Sequence, residues 1–85
     1  MSIDKEKLKN KILYRSSYRG TKEMDILLKS FVESIIDTFD YEQLKDLEKF
    51  LKFEDQTILN YYNYNITDQD IDKNRISNIF KKFKI

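Results

Sequence analysis

Arg19, Glu23 and Asp25 lie around Gly20, the one glycine of this 85-residue chain. A guanidinium and two carboxylates at short, fixed spacing can form ion pairs and charge-assisted hydrogen bonds. Average usage would place about six glycines in a chain of this length. Glycine takes positive φ, or lets another backbone approach closely, at no steric cost. The chemistry on offer is therefore recognition, and a functional surface is expected here. A plainer reading competes with it: Gly20 caps a helix C-terminus, Glu23 and Asp25 complement the dipole of the following helix, and Arg19 pairs with one of them.

Equipment for catalysis is scarce. The chain has no cysteine and no histidine, so the usual thiolate nucleophile, the commonest general base and the commonest metal ligand are missing. One glycine cannot build a phosphate-cradling loop. Asp68, Asp70 and Asp72 superficially follow the start of a calcium loop, but the glycine at the sixth position and the glutamate at the twelfth are absent. An acid-decorated helix start is the better reading of that run. Tyr61, Tyr62 and Tyr64 could stack on a base or a flavin ring, but such clusters more often close the end of a helical core. The basic tail Lys81, Lys82 and Lys84 reads as a solvated C-terminus rather than a nucleic-acid site, because net charge is only +1.

The elements that must position the Arg19–Asp25 turn are helical. Ile3, Leu8, Ile12 and Leu13 mark a first helix over about residues 4–17. Met24, Leu27, Leu28, Phe31, Val32, Ile35 and Phe39 form a wide apolar stripe on a second, the centre of a bundle. Thr21 is its expected N-cap. Asp40 and Gln43 resemble a capping box opening a third helix, with Leu44, Leu47, Phe50 and Leu51 inward and an end near Phe53. Glu54-Asp55 caps a short fourth helix carrying Ile58, Leu59, Tyr61 and Tyr62, with Asn63-Tyr64-Asn65 as a weak stop. Thr67 and Asp70 read as the start of a fifth, through Ile71, Ile76, Ile79, Phe80 and Phe83 into the tail. No stretch alternates with period two. The expected fold is all-α, a small antiparallel bundle of about five helices in a single domain over residues 1–85, with about 66–85 a C-terminal helix and basic tail of the kind that frays readily.

Charge is unevenly spread. Net charge is +4 over residues 1–29, −8 over 30–72 and +5 over 73–85. Packed helices commonly set opposite charges side by side, so complementarity inside the fold is favoured over a polarised docking surface. No apolar run is long enough to span a bilayer. Residues 1–10 lack the apolar stretch of a secretory signal, which makes a bacterial-type cytoplasm the expected location.

Lys11-Ile12-Leu13-Tyr14-Arg15, followed by Tyr18-Arg19-Gly20-Thr21-Lys22-Glu23-Met24-Asp25-Ile26-Leu27-Leu28, resembles the signature of the succinate dehydrogenase flavinylation factors. These are the SdhE-type proteins of bacteria and their mitochondrial counterparts. Their motif is Arg-Gly-x-x-Glu with an acidic or polar residue two positions on and an aliphatic run after it. The likeness continues through Tyr41-Glu42-Gln43-Leu44, Leu47 and Phe50-Leu51 to Ile58-Leu59-Asn60-Tyr61-Tyr62, where Tyr61 or Tyr62 stands for a tryptophan common in the family. It covers roughly residues 11–63.

The resemblance implies a five-helix domain that is not an enzyme. It implies a partner, the flavoprotein subunit of succinate dehydrogenase or in some bacteria of fumarate reductase. FAD would belong to that client and become covalently attached to a client histidine while the factor holds a favourable conformation. Gly20 would let the two backbones approach. Arg19 and Glu23 would anchor the client near its flavin site, or brace the loop that does so. Asp25 would be a further anchor or a brace to the first helix. Lys11 and Arg15, one turn apart, would extend the same face, and Tyr18 would add an aromatic contact where the family often has a base. A monomer is the simpler expectation. Two other classes stay open on the residues alone: a helical adaptor binding a basic partner through its acidic middle, and a small DNA-binding domain, which the charge balance disfavours.

Overall fold

Five α-helices and one 3₁₀ turn are formed by the described residues. The computed structural model describes residues 2–17 and 19–84, with side chains from residue 4. They are α1 (Ser2–Ser17), α2 (Lys22–Ile35), α3 (Tyr41–Phe50), α4 (Asp55–Tyr64), the 3₁₀ turn (Asp68–Lys73) and α5 (Arg75–Lys82). No strand occurs among the described residues. The all-α bundle expected from the apolar spacing is what forms.

An isolated helix of α2's length is marginal in water, so packing must hold it. Met24, Leu28, Phe31 and Val32 are fully buried along one face. Phe31 is the hub: its ring meets Phe80 at 5.0 Å, Phe83 at 5.3 Å and Phe50 at 6.3 Å between centroids, all edge-to-face. That geometry aims the positive ring edge at the negative face of its neighbour. The helix begins at Thr21, whose hydroxyl accepts from the Met24 N–H at 3.2 Å. It ends at Ile35, so Phe39, expected on the helix stripe, reaches the core from the turn beyond, where Ile36 is buried as well.

The capping box of α3 is present. Asp40 accepts from the Gln43 N–H at 2.8 Å, and Gln43 accepts from the Asp40 N–H at 2.9 Å. Two orphan donors are satisfied reciprocally, so the chain turns sharply between α2 and α3. The helix closes at Phe50, and two further turn bonds carry the chain to Phe53.

The greatest departure from expectation lies between α4 and α5. Asn65 ends α4 in the left-handed region, φ 61°. Thr67 starts no α-helix. Gln69 and Asp70 both sit at φ 57°, which breaks the segment into a 3₁₀ turn. The α-helix begins only at Arg75, where Asn74 caps it by accepting from the Ile76 N–H at 2.8 Å. Ile71 plugs the core from the turn, while Ile79, expected inward, is 38% exposed.

The tail is tied down at Lys81 and Phe83, while Lys82 and Lys84 face water as expected. Lys81 donates to the Tyr61 carbonyl at 2.8 Å, and the Tyr62 hydroxyl donates to the Phe83 carbonyl at 2.6 Å. The tyrosine cluster divides accordingly: Tyr61 is buried, Tyr62 packs on Phe80 at 4.8 Å, and Tyr64 stands 71% exposed.

Charge complementarity is internal. Lys9 pairs with Asp37 at 3.1 Å, Lys11 with Glu48 at 2.7 Å and Arg19 with Asp55 at 2.8 Å; Arg75 pairs with Asp46. Each joins a basic end of the chain to its acidic middle.

Candidate functional site

The turn between α1 and α2 is held from inside by one arginine. The Arg19 side chain folds inward to 11% exposure. Its Nε donates to Asp55 Oδ1 at 2.8 Å, one terminal nitrogen to the carbonyls of Arg15 (3.2 Å) and Leu51 (3.1 Å), and the other to the Phe53 carbonyl (3.2 Å). Leu51 and Phe53 follow α3, where carbonyls have no helical partner to accept from. A guanidinium, planar and with five donors, can serve three carbonyls and a carboxylate together; a lysine could not. The Arg19 side chain thus spends its donors inside the fold, between the turn, the end of α3 and α4. The side-chain pairing with Glu23 or Asp25 does not form; Asp55 takes that place.

Asp55 works on both residues of the Arg-Gly pair. Its second oxygen accepts from the Gly20 N–H at 2.8 Å. Asp25 completes the turn by accepting from the Arg19 backbone N–H, and its own N–H donates to the Thr21 carbonyl at 3.0 Å. One carboxylate on α4 and one on α2 therefore fix the loop from either side.

This changes the physical role of Gly20. No glycine here has positive φ, so Gly20 is not a left-handed helix cap. The left-handed residues among those described are Asn65, Gln69 and Asp70. What Gly20 provides is room: a Cβ built on it would meet Asp55 Oδ2 at 3.2 Å. That is tighter than ordinary contact, so the carboxylate would have to give way by a few tenths of an ångström.

The other expected site residues are distributed around this turn. Lys11 is half exposed and bound to Glu48 on α3, tying α1 down. Its hydrogen bond holds the Glu48 carboxyl below the ordinary glutamate range, with Lys52 and Arg15 adding electrostatic support against the opposing cost of burial. Arg15 is exposed and gives its carbonyl to Arg19. Glu23 is exposed on the first turn of α2, and Thr21 and Lys22 are exposed beside it. The aromatic contact expected of Tyr18 lies outside the described residues.

Sequence reasoning missed Asp55 as a site residue. Glu54-Asp55 was read as a helix cap, yet Glu54 takes the N-cap position without a side-chain bond, and the Asp55 carboxylate turns to the loop. A buried arginine demands a carboxylate, but eleven carboxylates lie in residues 30–72 and spacing alone does not choose among them. Leu59, Tyr62 and Asn63 were missed too. They face Glu23, Ile26 and Leu27 across a groove of about 300 Å³ between α2 and α4. A larger cleft of about 500 Å³ is lined by Asp46, Lys49, Phe53, Lys73, Asn74 and Arg75. Arg75 there is paired with Asp46, and Lys73 lies 3.8 Å from Asp70.

Among the described residues no cluster of acidic, histidine or cysteine side chains could hold a metal ion. No helix among them is long and apolar enough to cross a membrane. The arrangement is a hydrogen-bonded turn whose residues Gly20, Thr21, Lys22 and Glu23 face water.

Residues 10–84 match the family model described as flavinator of succinate dehydrogenase. The chain belongs to that family. Within it, the chain is similar to the FAD assembly factor SdhE of Acetobacter pasteurianus, at 36% identity over 53 residues, which is 62% of this chain and 49% of that protein. The chain thus spans about half the length of this curated relative. No solved structure matches.

Proposed function

We propose that this flavinator-family chain is an assembly factor that binds the flavoprotein subunit of succinate dehydrogenase, and of fumarate reductase where a cell has one, and promotes covalent attachment of FAD to it. It acts as a monomer in the bacterial cytoplasm. FAD and the attacking histidine belong to the client, and the factor contributes shape rather than a reacting group. The observation that carries this reading is the Arg19-Gly20 pair held by two carboxylates, Asp55 and Asp25, with the edge from Gly20 to Glu23 left facing water.

Preorganisation is the physical gain. A loop already ordered loses little entropy on docking, so more of its contact energy appears as affinity. In this reading Gly20, Glu23 and the α2 face meet the client, Arg19 and Asp25 hold the loop in place, and Lys11 and Arg15 border the docking face from α1. The adaptor alternative loses support because Asp37, Asp46, Glu48 and Asp55 of the acidic middle are already paired within the fold.

Co-expression with the cognate flavoprotein subunit tests this. Covalent flavin, read as fluorescence in a denaturing gel, should rise with the wild-type chain and fall with Gly20→Arg or Glu23→Ala. A wild-type chain that adds no covalent flavin and captures no flavoprotein subunit overturns the reading.

A further inference from the structure

Glu23 stands at the edge of the α2–α4 groove without a cation among the residues that line it. Those residues are Glu23, Ile26, Leu27, Leu59, Tyr62 and Asn63. Ile26 is 49% exposed and also borders a second hollow of about 370 Å³ beside Ser17, Asp25 and Lys29. It forms a ridge between the two. Glu23 makes no ion pair or hydrogen bond among the described residues, in contrast to Asp37, Asp46, Glu48 and Asp55. Lys84 is nearby, 5.7 Å from the Tyr62 ring centroid, but it makes no salt bridge with Glu23.

On the flavoprotein-binding reading above, we propose that this groove receives one arginine or lysine side chain of the flavoprotein subunit. Its aliphatic stem lies along Ile26, Leu27 and Leu59, and its cationic head meets the Glu23 carboxylate and the Asn63 side-chain oxygen. Long basic side chains bury their stems on apolar surface while keeping the head on polar partners. The alternatives fit the groove less well. A purely apolar side chain would strip water from Glu23 and return nothing. An acidic one would be repelled. The Tyr62 ring, held by its hydroxyl bond to the Phe83 carbonyl, presents a wall beside which a cation is favourable, as Lys84 already shows.

The test is a charge swap on the full chain and the flavoprotein subunit. Glu23 is exposed, so Glu23→Gln and Glu23→Lys should keep the wild-type circular dichroism, with the melting temperature lowered by only a few degrees through the lost favourable charge in the first turn of α2. Glu23→Gln should weaken binding about tenfold or more, as removing one partner of a desolvated pair does. Glu23→Lys should abolish it, and one Lys→Glu or Arg→Glu variant in a scan of the subunit's basic surface residues should restore it. Wild-type binding and flavinylation that survive Glu23→Gln unchanged would overturn the groove proposal while leaving the assembly-factor reading intact, and so would a scan that finds no restoring variant. A self-association lost in Glu23→Lys would assign the groove to a second copy, and equal weakening by Lys84→Ala would assign it to the tail; either overturns the proposal. Failure of the wild-type pair to bind would remove both readings.

Discussion

The Gly20 N–H donates to the Asp55 carboxylate at 2.8 Å, while the other oxygen of that carboxylate holds the Arg19 guanidinium. Residues thirty-five positions apart in sequence thus share one hydrogen-bonding centre. It joins the α1–α2 turn to the start of α4 and to the carbonyls that follow α3. Asp55→Ala should cost about 3 kcal/mol in urea unfolding. Removing one partner of a mostly buried pair leaves the other charge uncompensated, and Asp55 is 27% exposed, which puts the cost at the low end of that range. Asp55→Asn should recover part of the loss by accepting from Arg19 or Gly20, but not both fully. A loss below about 0.5 kcal/mol for Asp55→Ala would show that the centre is not structural.

Gly20→Ala separates conformational need from crowding. Since Gly20 does not use positive φ, alanine meets no backbone penalty and reduces the freedom of the unfolded chain. Against this stands the 3.2 Å approach to Asp55 Oδ2. The two effects oppose, so Gly20→Ala should change stability by less than about 1 kcal/mol. Gly20→Val, which cannot be accommodated by a small carboxylate shift, should lose more. Denaturant midpoints of the three proteins check this. A large loss for alanine alone would point to a conformational demand instead.

Much of the fold could be read from the residues because local and long-range preferences agree. The stripe from Met24 to Val32, the Thr21 cap and the Asp40–Gln43 box each follow from neighbours within a few positions. The α4–α5 connection could not be read that way. Thr67 and Asp70 look like a helix start, but Ile71 must enter the core, and the chain gets there by placing Gln69 and Asp70 in the left-handed region. The site divides in the same manner. Arg19, Gly20 and Asp25 announce a structured turn; their partner Asp55 comes from elsewhere in the chain and is one carboxylate among many.

Lys11 and Glu48 should give the protein an acid-dependent component of stability. The folded state lowers the Glu48 pKa, chiefly through the Lys11 hydrogen bond. A lowered pKa means that the contribution is present above the ordinary glutamate value, about 4.3, and is lost as pH falls from there through the folded-state value. Lys11→Met should therefore reduce stability modestly near neutral pH and leave it little changed in strong acid. Lys11 is half exposed, so the difference at pH 7 should be about 0.5 kcal/mol. Parallel pH profiles for wild type and Lys11→Met would contradict the assignment.

Ser77 offers the opposite case, a native group whose removal should help. Its side chain is fully buried in α5, and its hydroxyl oxygen finds no hydrogen-bond partner among the described residues. The oxygen has lost water without replacement, a cost of about 1–3 kcal/mol in comparable sites. Ser77→Ala removes that cost, raises helix propensity and leaves a space smaller than a methyl group, so cavity loss is slight. The variant should be more stable than wild type by about 1 kcal/mol, read as a higher melting temperature. On the proposed function, binding to the flavoprotein subunit should be unchanged, because Ser77 lies inside the core and not on the α2 face. A destabilised Ser77→Ala would mean that the hydroxyl is satisfied in solution, and hydrogen exchange at its neighbours in α5 would then be slower in wild type than in the variant.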